Sequence, residues 1–186
     1  MEVKQVSFSY GDEPVLEGFS LSLPRGRRVA VMGESGRGKT TLMRLLLGLI
    51  TPDSGSIERG TGERPAAVFQ EDRLLPWYTA MKNVELFAAQ GADTEGILDD
   101  MELGEMKGKL PKELSGGQQR RISIARALAY KGAPLLLDEP FKGLDPEMRE
   151  RIADRILARA DGAAILLITH DEKEAELLKC GEIIRL

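Results

Sequence analysis

The run Gly33-Glu34-Ser35-Gly36-Arg37-Gly38-Lys39-Thr40 limits what this chain can fold into more than any other. It matches G-x-x-x-x-G-K-[ST] in full, and Val29-Ala30-Val31-Met32 leads directly into it. A short, continuously apolar stretch of this kind reads as a strand of a parallel sheet, buried on both faces. Thr40 to Leu49 then reads as a helix, with Gly48 near its end. Glycines let successive backbone N–H groups turn inward, and the following helix N-terminus adds partial positive charge, so the loop suits phosphate. In such a loop Lys39 reaches the β- and γ-phosphates and the Thr40 hydroxyl ligates Mg²⁺. Thr41 adds a hydroxyl near the α-phosphate.

The pattern elsewhere agrees with an α/β fold. Val3 to Tyr10 and Leu16 to Leu23 alternate apolar and polar residues about the turn Gly11-Asp12, which predicts an antiparallel pair at the edge of the fold. Ile57 begins a further strand, and Ala66-Ala67-Val68-Phe69 is a buried one ending at Gln70. Between Glu71 and Lys131 the period turns helical, with candidates at Asn83 to Gln90, Glu95 to Leu103 and Gln118 to Tyr130. Strands return at Leu135 to Leu137, Ala163 to Ile168 and Glu182 to Leu186, alternating with helices at Pro146 to Ala160 and Glu172 to Lys179. Such alternation predicts a mainly parallel sheet flanked by helices, which with the phosphate loop makes a P-loop NTPase core, with an antiparallel β edge. The helical block interrupts it and reads as an inserted subdomain. The expected organisation is one domain over 1–186, with its core at 1–70 and 131–186 and the helical subdomain at about 71–130.

Composition narrows the function classes. Hydrophobic residues are 42% and charged residues 30%, an ordinary globular balance. The net charge is −4 and no basic block stands out, which argues against a nucleic-acid partner. Cys180 is the only cysteine, so no internal disulfide forms and a reducing compartment is expected; as a small core residue it needs no further role. The start, Met1-Glu2-Val3-Lys4-Gln5, precedes no signal-like apolar stretch, and the longest apolar runs fall short of the ~20 residues of a membrane span. A soluble chain is expected, so any membrane part of its task belongs to another polypeptide.

Several further residues are placed for chemistry. Asp138 and Glu139 end the run Leu135-Leu136-Leu137, at the sheet edge where doubly wound folds bind ligands, and Asp138 there suits a Mg²⁺ shell. In Leu114-Ser115-Gly116-Gly117-Gln118 a hydroxyl and unobstructed backbone N–H groups suit a phosphate oxygen; a turn ahead of a helix is the plainer reading. His170, the only histidine, ends a strand, where a structural role is the ordinary one. Tyr10 offers a π-face for a purine, or simply packs on an edge strand.

Taken in order, these motifs resemble the nucleotide-binding subunits of ABC transporters over essentially the whole chain. The resemblance implies that Leu114-Ser115-Gly116-Gly117-Gln118 of one subunit closes over ATP held by the phosphate loop of another. It implies Glu139 as the base that polarises the attacking water, Gln70 near Mg²⁺ and that water, and His170 in Ile168-Thr169-His170-Asp171 at the γ-phosphate. Asp145 of Gly143-Leu144-Asp145 would cross the subunit interface, and Tyr10 would stack on adenine. The run Leu74-Leu75-Pro76-Trp77 is similar to that of nitrate, sulfonate and taurine importers, where the motor faces its membrane partner; Trp77 either anchors that contact or fills the helical insertion. The implied partners are a second copy or homologous ATPase subunit, integral-membrane permease subunits and a solute-binding protein. The implied location is cytoplasmic, peripheral on the inner face of the membrane. Two other classes share part of the pattern: a soluble ABC-type ATPase acting on nucleic acid or ribosomes, and a nucleotide-dependent regulator without turnover. The chain departs from the resemblance in a shortened stretch between Asn83 and Leu114, in Lys142 where a small residue is usual, and in ending soon after the strand that follows His170, so no regulatory C-terminal domain is expected.

Overall fold

Strand β3 (Arg28–Met32) runs through the most apolar part of the chain, and Val29, Ala30 and Val31 are fully buried, as a strand covered on both faces requires. The computed structural model describes residues 1–34 and 36–186, so Ser35 of the glycine loop lies outside the described residues. By its contacts the chain divides into two compact units, one of Met1–Pro65, Ala133–Asp138 and Gly162–Leu186, the other of Ala66–Gly132 and Glu139–Asp161.

In the first unit, β1 (Glu2–Tyr10) pairs antiparallel with β2 (Glu13–Ser22) on one side and β4 (Ser54–Glu58) on the other. This is the expected antiparallel edge, with β4 starting three residues before Ile57. After β3 comes helix α1 (Lys39–Leu47), which ends at Gly48 in a left-handed conformation, φ 72°. Strands β6 (Leu135–Asp138), β7 (Ile165–Thr169) and β8 (Glu182–Arg185) join β3 in a parallel sheet, β6-β7-β3-β8. The register sets Asp138 beside Ile168 and Met32 beside Thr169. The phosphate loop, Asp138 and His170 therefore leave the sheet at one edge, the carboxyl ends of three strands. Helix α6 (Glu172–Leu177) precedes β8 and is capped by the Asp171 side chain.

The second unit begins with β5 (Ala66–Val68) and holds α2 (Ala80–Glu85), α3 (Thr94–Asp100), α4 (Gly116–Tyr130) and α5 (Pro146–Arg159). Helix α4 is its centre and packs on β5, α2, α3 and α5. All four helices open on a capping side chain, from Thr79, Asp93, Ser115 and Asp145 respectively. Helix α2 begins three residues before the expected Asn83 and ends before Leu86. The reason is the Asn83 amide: fully buried, it donates to the carbonyls of Leu75, Tyr78 and Thr79 and accepts from the Leu75 N–H. Asparagine usually starts helices, but here it ties down the loop before one from the helix interior.

Candidate functional site

In the first unit the glycine loop is shaped by backbone and lysine together. Gly36 and Gly38 have φ of 87° and 84°, a region that L side chains rarely occupy, and a Cβ at Gly38 would lie 2.9 Å from Val15 Cγ1. The Lys39 ammonium donates to the carbonyls of Gly33 (2.6 Å) and Glu34 (2.8 Å), closing the loop on itself. Glu34 and Arg37 are exposed; their side chains form a long ion pair, 4.0 Å, and the Arg37 N–H donates to the Glu34 carbonyl at 3.3 Å. Helix α1 opens at Gly38 with no side-chain cap and no acidic residue in its first turn, so its leading N–H groups present an uncompensated positive end to an anion.

Around this loop, Thr40 is exposed, whereas Thr41 is buried and bonded to the Tyr10 hydroxyl. Arg44 of α1 also donates to that hydroxyl at 3.2 Å. Hydrogen bonds from Thr41 and then Arg44 hold the Tyr10 phenol below its ordinary pKa. The Tyr10 ring meets Phe8 edge-on, centroids 4.9 Å apart, and stays 47% exposed: a face oriented from behind and open in front. Asp138 is 5% exposed at the end of β6. His170 is exposed, and the chain is pinned on both sides of it through Thr169. The buried Thr169 hydroxyl donates to Glu174 Oε2 at 2.6 Å and accepts from the Asp171 N–H at 3.1 Å. Sequence reasoning passed over Thr169 and Glu174; the signal available was a glutamate four positions after His170 on a helix facing a strand end.

Thr40 and Asp138 offer hard oxygen donors, the type that suits Mg²⁺. Among the described residues no three His, Cys, Asp or Glu side chains gather into a metal cage. A metal held by one hydroxyl, one acid, water and phosphate oxygens is the pattern Mg²⁺ adopts at phosphate sites, so the donor set fits it.

In the second unit a cleft of about 680 Å³ is lined by Gln70, Asp72, Ser115, Gly116, Lys142 and Asp145 among others. The Ser115 Oγ accepts from the Gln118 N–H at 3.3 Å, and Gln118 Oε1 accepts in return from the Ser115 N–H at 2.9 Å. The two readings of this run are thus compatible, because the cap uses Ser115 as acceptor and leaves its O–H proton to donate. Asp145 likewise caps α5 by accepting from the Met148 N–H at 2.9 Å. Glu139 is half-buried with φ 46°, a left-handed backbone costing on the order of 1 kcal/mol for a non-glycine residue. Such strain gathers at sites where a side chain must be aimed. Trp77 is 71% exposed, which removes the core reading for it. Arg120 of α4, also missed in the sequence, is 2% exposed and donates to carbonyls beside Gln70 and at Glu139. Its trace was an arginine pair, Arg120-Arg121, just ahead of the apolar stretch of the helix.

Residues 16–142 match the family model described as ABC transporter. The chain is 40% identical to the aliphatic sulfonates import ATP-binding protein SsuB 1 of Agrobacterium fabrum, with 94% of this chain and 67% of that protein covered. It is 39% identical to the taurine import ATP-binding protein TauB of Chromobacterium violaceum, over 89% and 70% of the two chains. Among solved structures it is similar to the dimeric ABC transporter cassette MJ0796, with TM-score 0.86 and 31% identity over 100% of this chain and 93% of that one. A post-hydrolysis state of that cassette, bound to ADP and Pi, matches with TM-score 0.85. With its glycine loop, the Ser115-capped helix α4 and a strand-end acid, the chain belongs to the ATP-binding subunits of the ABC transporter family.

Proposed function

We propose that this chain binds Mg–ATP, hydrolyses it, and so drives solute import through integral-membrane permease subunits. The observation that carries nucleotide binding is the start of α1. It lacks a side-chain cap, and Lys39 already holds the loop closed, so its N–H groups are left for phosphate. Tyr10 stacks on adenine, the backbone of residues 33–38 cradles the phosphates, and Lys39 turns to the β- and γ-oxygens. Thr40 and Asp138, with Gln70, would hold Mg²⁺, and the ion once bound would neutralise charge on the phosphate oxygens. Glu139 takes the proton of the attacking water as its oxygen bonds to the γ-phosphorus and the β–γ bridge breaks, leaving ADP and phosphate. His170 donates to the γ-phosphate. Ser115, Gly116, Gly117 and Gln118 close over the nucleotide of a second copy or homologous subunit, and Asp145 lies at the interface so formed.

The relatives' import functions support an inner-face location, with a solute-binding protein delivering the cargo. Sulfonates are the solute class to test first. Glu139→Gln is the direct test of the chemistry. The amide accepts no proton, so turnover falls by about 10²–10⁴-fold while Mg–ATP binding persists. An ATP-bound dimer then accumulates in size-exclusion chromatography. Turnover near that of the parent chain contradicts the assignment of Glu139 as base.

A further inference from the structure

Arg120 lies on the second turn of α4, the helix that presents Ser115 and Gly116 at its N-terminus. It is 2% exposed, and its guanidinium is spread over two segments far apart in sequence. Toward one segment, NH1 donates to the carbonyls of Phe69 (2.5 Å) and Gln70 (3.4 Å) and to Asp72 Oδ1 (3.0 Å). Toward the other, NH2 donates to the Glu139 carbonyl (2.6 Å) and Nε to the Pro140 carbonyl (3.1 Å). A guanidinium is a rigid planar fork, so the distance between its acceptors is fixed by covalent geometry rather than by packing. Burial and ionisation make each of these bonds stronger than a neutral surface one.

Arg126, six residues further along α4, gives the contrast. It donates to the carbonyls of Asp72 (2.8 Å) and Arg73 (2.9 Å) and stacks 5.4 Å from the Phe87 ring centroid. Among the described residues, these contacts lie at Asp72, Arg73 and Phe87, away from the Glu139 segment. Arg126 thus holds one segment, and Arg120 holds two.

We propose that Arg120 is the positioning residue that sets the backbone of Gln70 relative to that of Glu139 and links both to the helix carrying Ser115. Glu139 sits at φ 46°, so its carbonyl direction needs an outside restraint, and Arg120 NH2 supplies one at that carbonyl. Any shift of α4, such as closure of Ser115 on a partner's nucleotide, is passed through this fork to both segments at once. The inference rests on the proposed roles of Gln70 and Glu139 in ATP hydrolysis.

The test compares the full-length parent with Arg120→Lys, Arg126→Lys and Asp72→Asn. Steady-state ATPase, ATP affinity and amide hydrogen exchange over segments 69–73 and 139–143 are measured for each. Arg120→Lys keeps charge and length but loses the fork. It lowers kcat by about 10–100-fold, the usual cost of losing a partner that orients catalytic groups. KM and ATP affinity stay within about twofold of the parent, because the nucleotide's own loop is untouched. Both segments exchange faster. Arg126→Lys and Asp72→Asn leave Arg120 on the Glu139 carbonyl, so they speed exchange at 69–73 alone and cost less than tenfold in kcat. Parent-level kcat in Arg120→Lys, faster exchange in only one segment, or an equal kcat loss in Arg126→Lys overturns the proposal. If Arg120→Lys does not fold, faster exchange at 139–143 in Asp72→Asn overturns it equally. An inactive parent would remove the ATPase reading, and the exchange data would still decide whether Arg120 couples the two segments.

Discussion

The Ser115 hydroxyl caps α4 by accepting the Gln118 N–H, which leaves its proton to be donated to phosphate as the proposed function requires. Cys180 shows the opposite case, a residue whose surroundings remove its chemistry. Burial pushes its thiol up to about 11, against the weaker opposing pull of Arg28. The thiol is neutral in folded and unfolded chains below its free value of about 8.5. Between there and about 11 only the unfolded chain ionises, so this group's contribution to stability is lost as pH rises through that window. At pH 8 the native thiol reacts with an alkylating reagent roughly 100-fold more slowly than the denatured one, by its smaller thiolate fraction. Equal rates before and after unfolding contradict that account. The candidates Lys39, Asp138 and Ser115 could be proposed from sequence because their spacing is tied to neighbouring backbone turns. Arg120, Thr169 and Glu174 were not, because each acts on groups that only the fold brings near.

Among the helices, α1 and α4 are the two whose N-termini the proposed function places at the nucleotide, and they are built differently. Helix α1 starts on a bare glycine, whereas α4 starts on a reciprocal cap between Ser115 and Gln118. The cap makes two substitutions informative. Asp caps as well as Ser, so Ser115→Asp keeps the thermal midpoint near the parent value, yet its charge repels phosphate and turnover is lost. Ser115→Ala gives up the cap, costs about 1 kcal/mol and lowers the midpoint by roughly 2–4 °C. Calorimetry and ATPase measured together check this; a midpoint for Ser115→Asp as low as that of Ser115→Ala would show that the cap is not what the side chain provides. The parallel strands were legible from continuous apolar runs, and β6 and β7 differ from expectation only at their ends. Helix α2 starts before the expected Asn83, and nothing local reveals that the Asn83 amide closes the preceding loop.

Across the whole molecule, the chain passes from one compact unit to the other between Asp138 and Glu139, so two adjacent carboxylates belong to different units. The α/β architecture could be read from one glycine loop and its flanking strands, because a buried parallel strand feeding a helix allows few other arrangements. Closure of one copy's Ser115 over ATP held by another's Lys39 is the central claim, and it is tested most directly by mixing two inactive variants. Ser115→Arg retains ATP binding to the monomer but blocks closure, while Lys39→Ala loses the charge-assisted phosphate contact and with it turnover. Combined, they rebuild one composite site from Lys39 of the first and Ser115 of the second. The account predicts partial recovery of ATPase activity in the mixture, with unchanged ATP affinity in isolated Ser115→Arg. No recovery, together with strongly weakened ATP binding by the Ser115→Arg monomer, would place Ser115 in the chain's own site and contradict it.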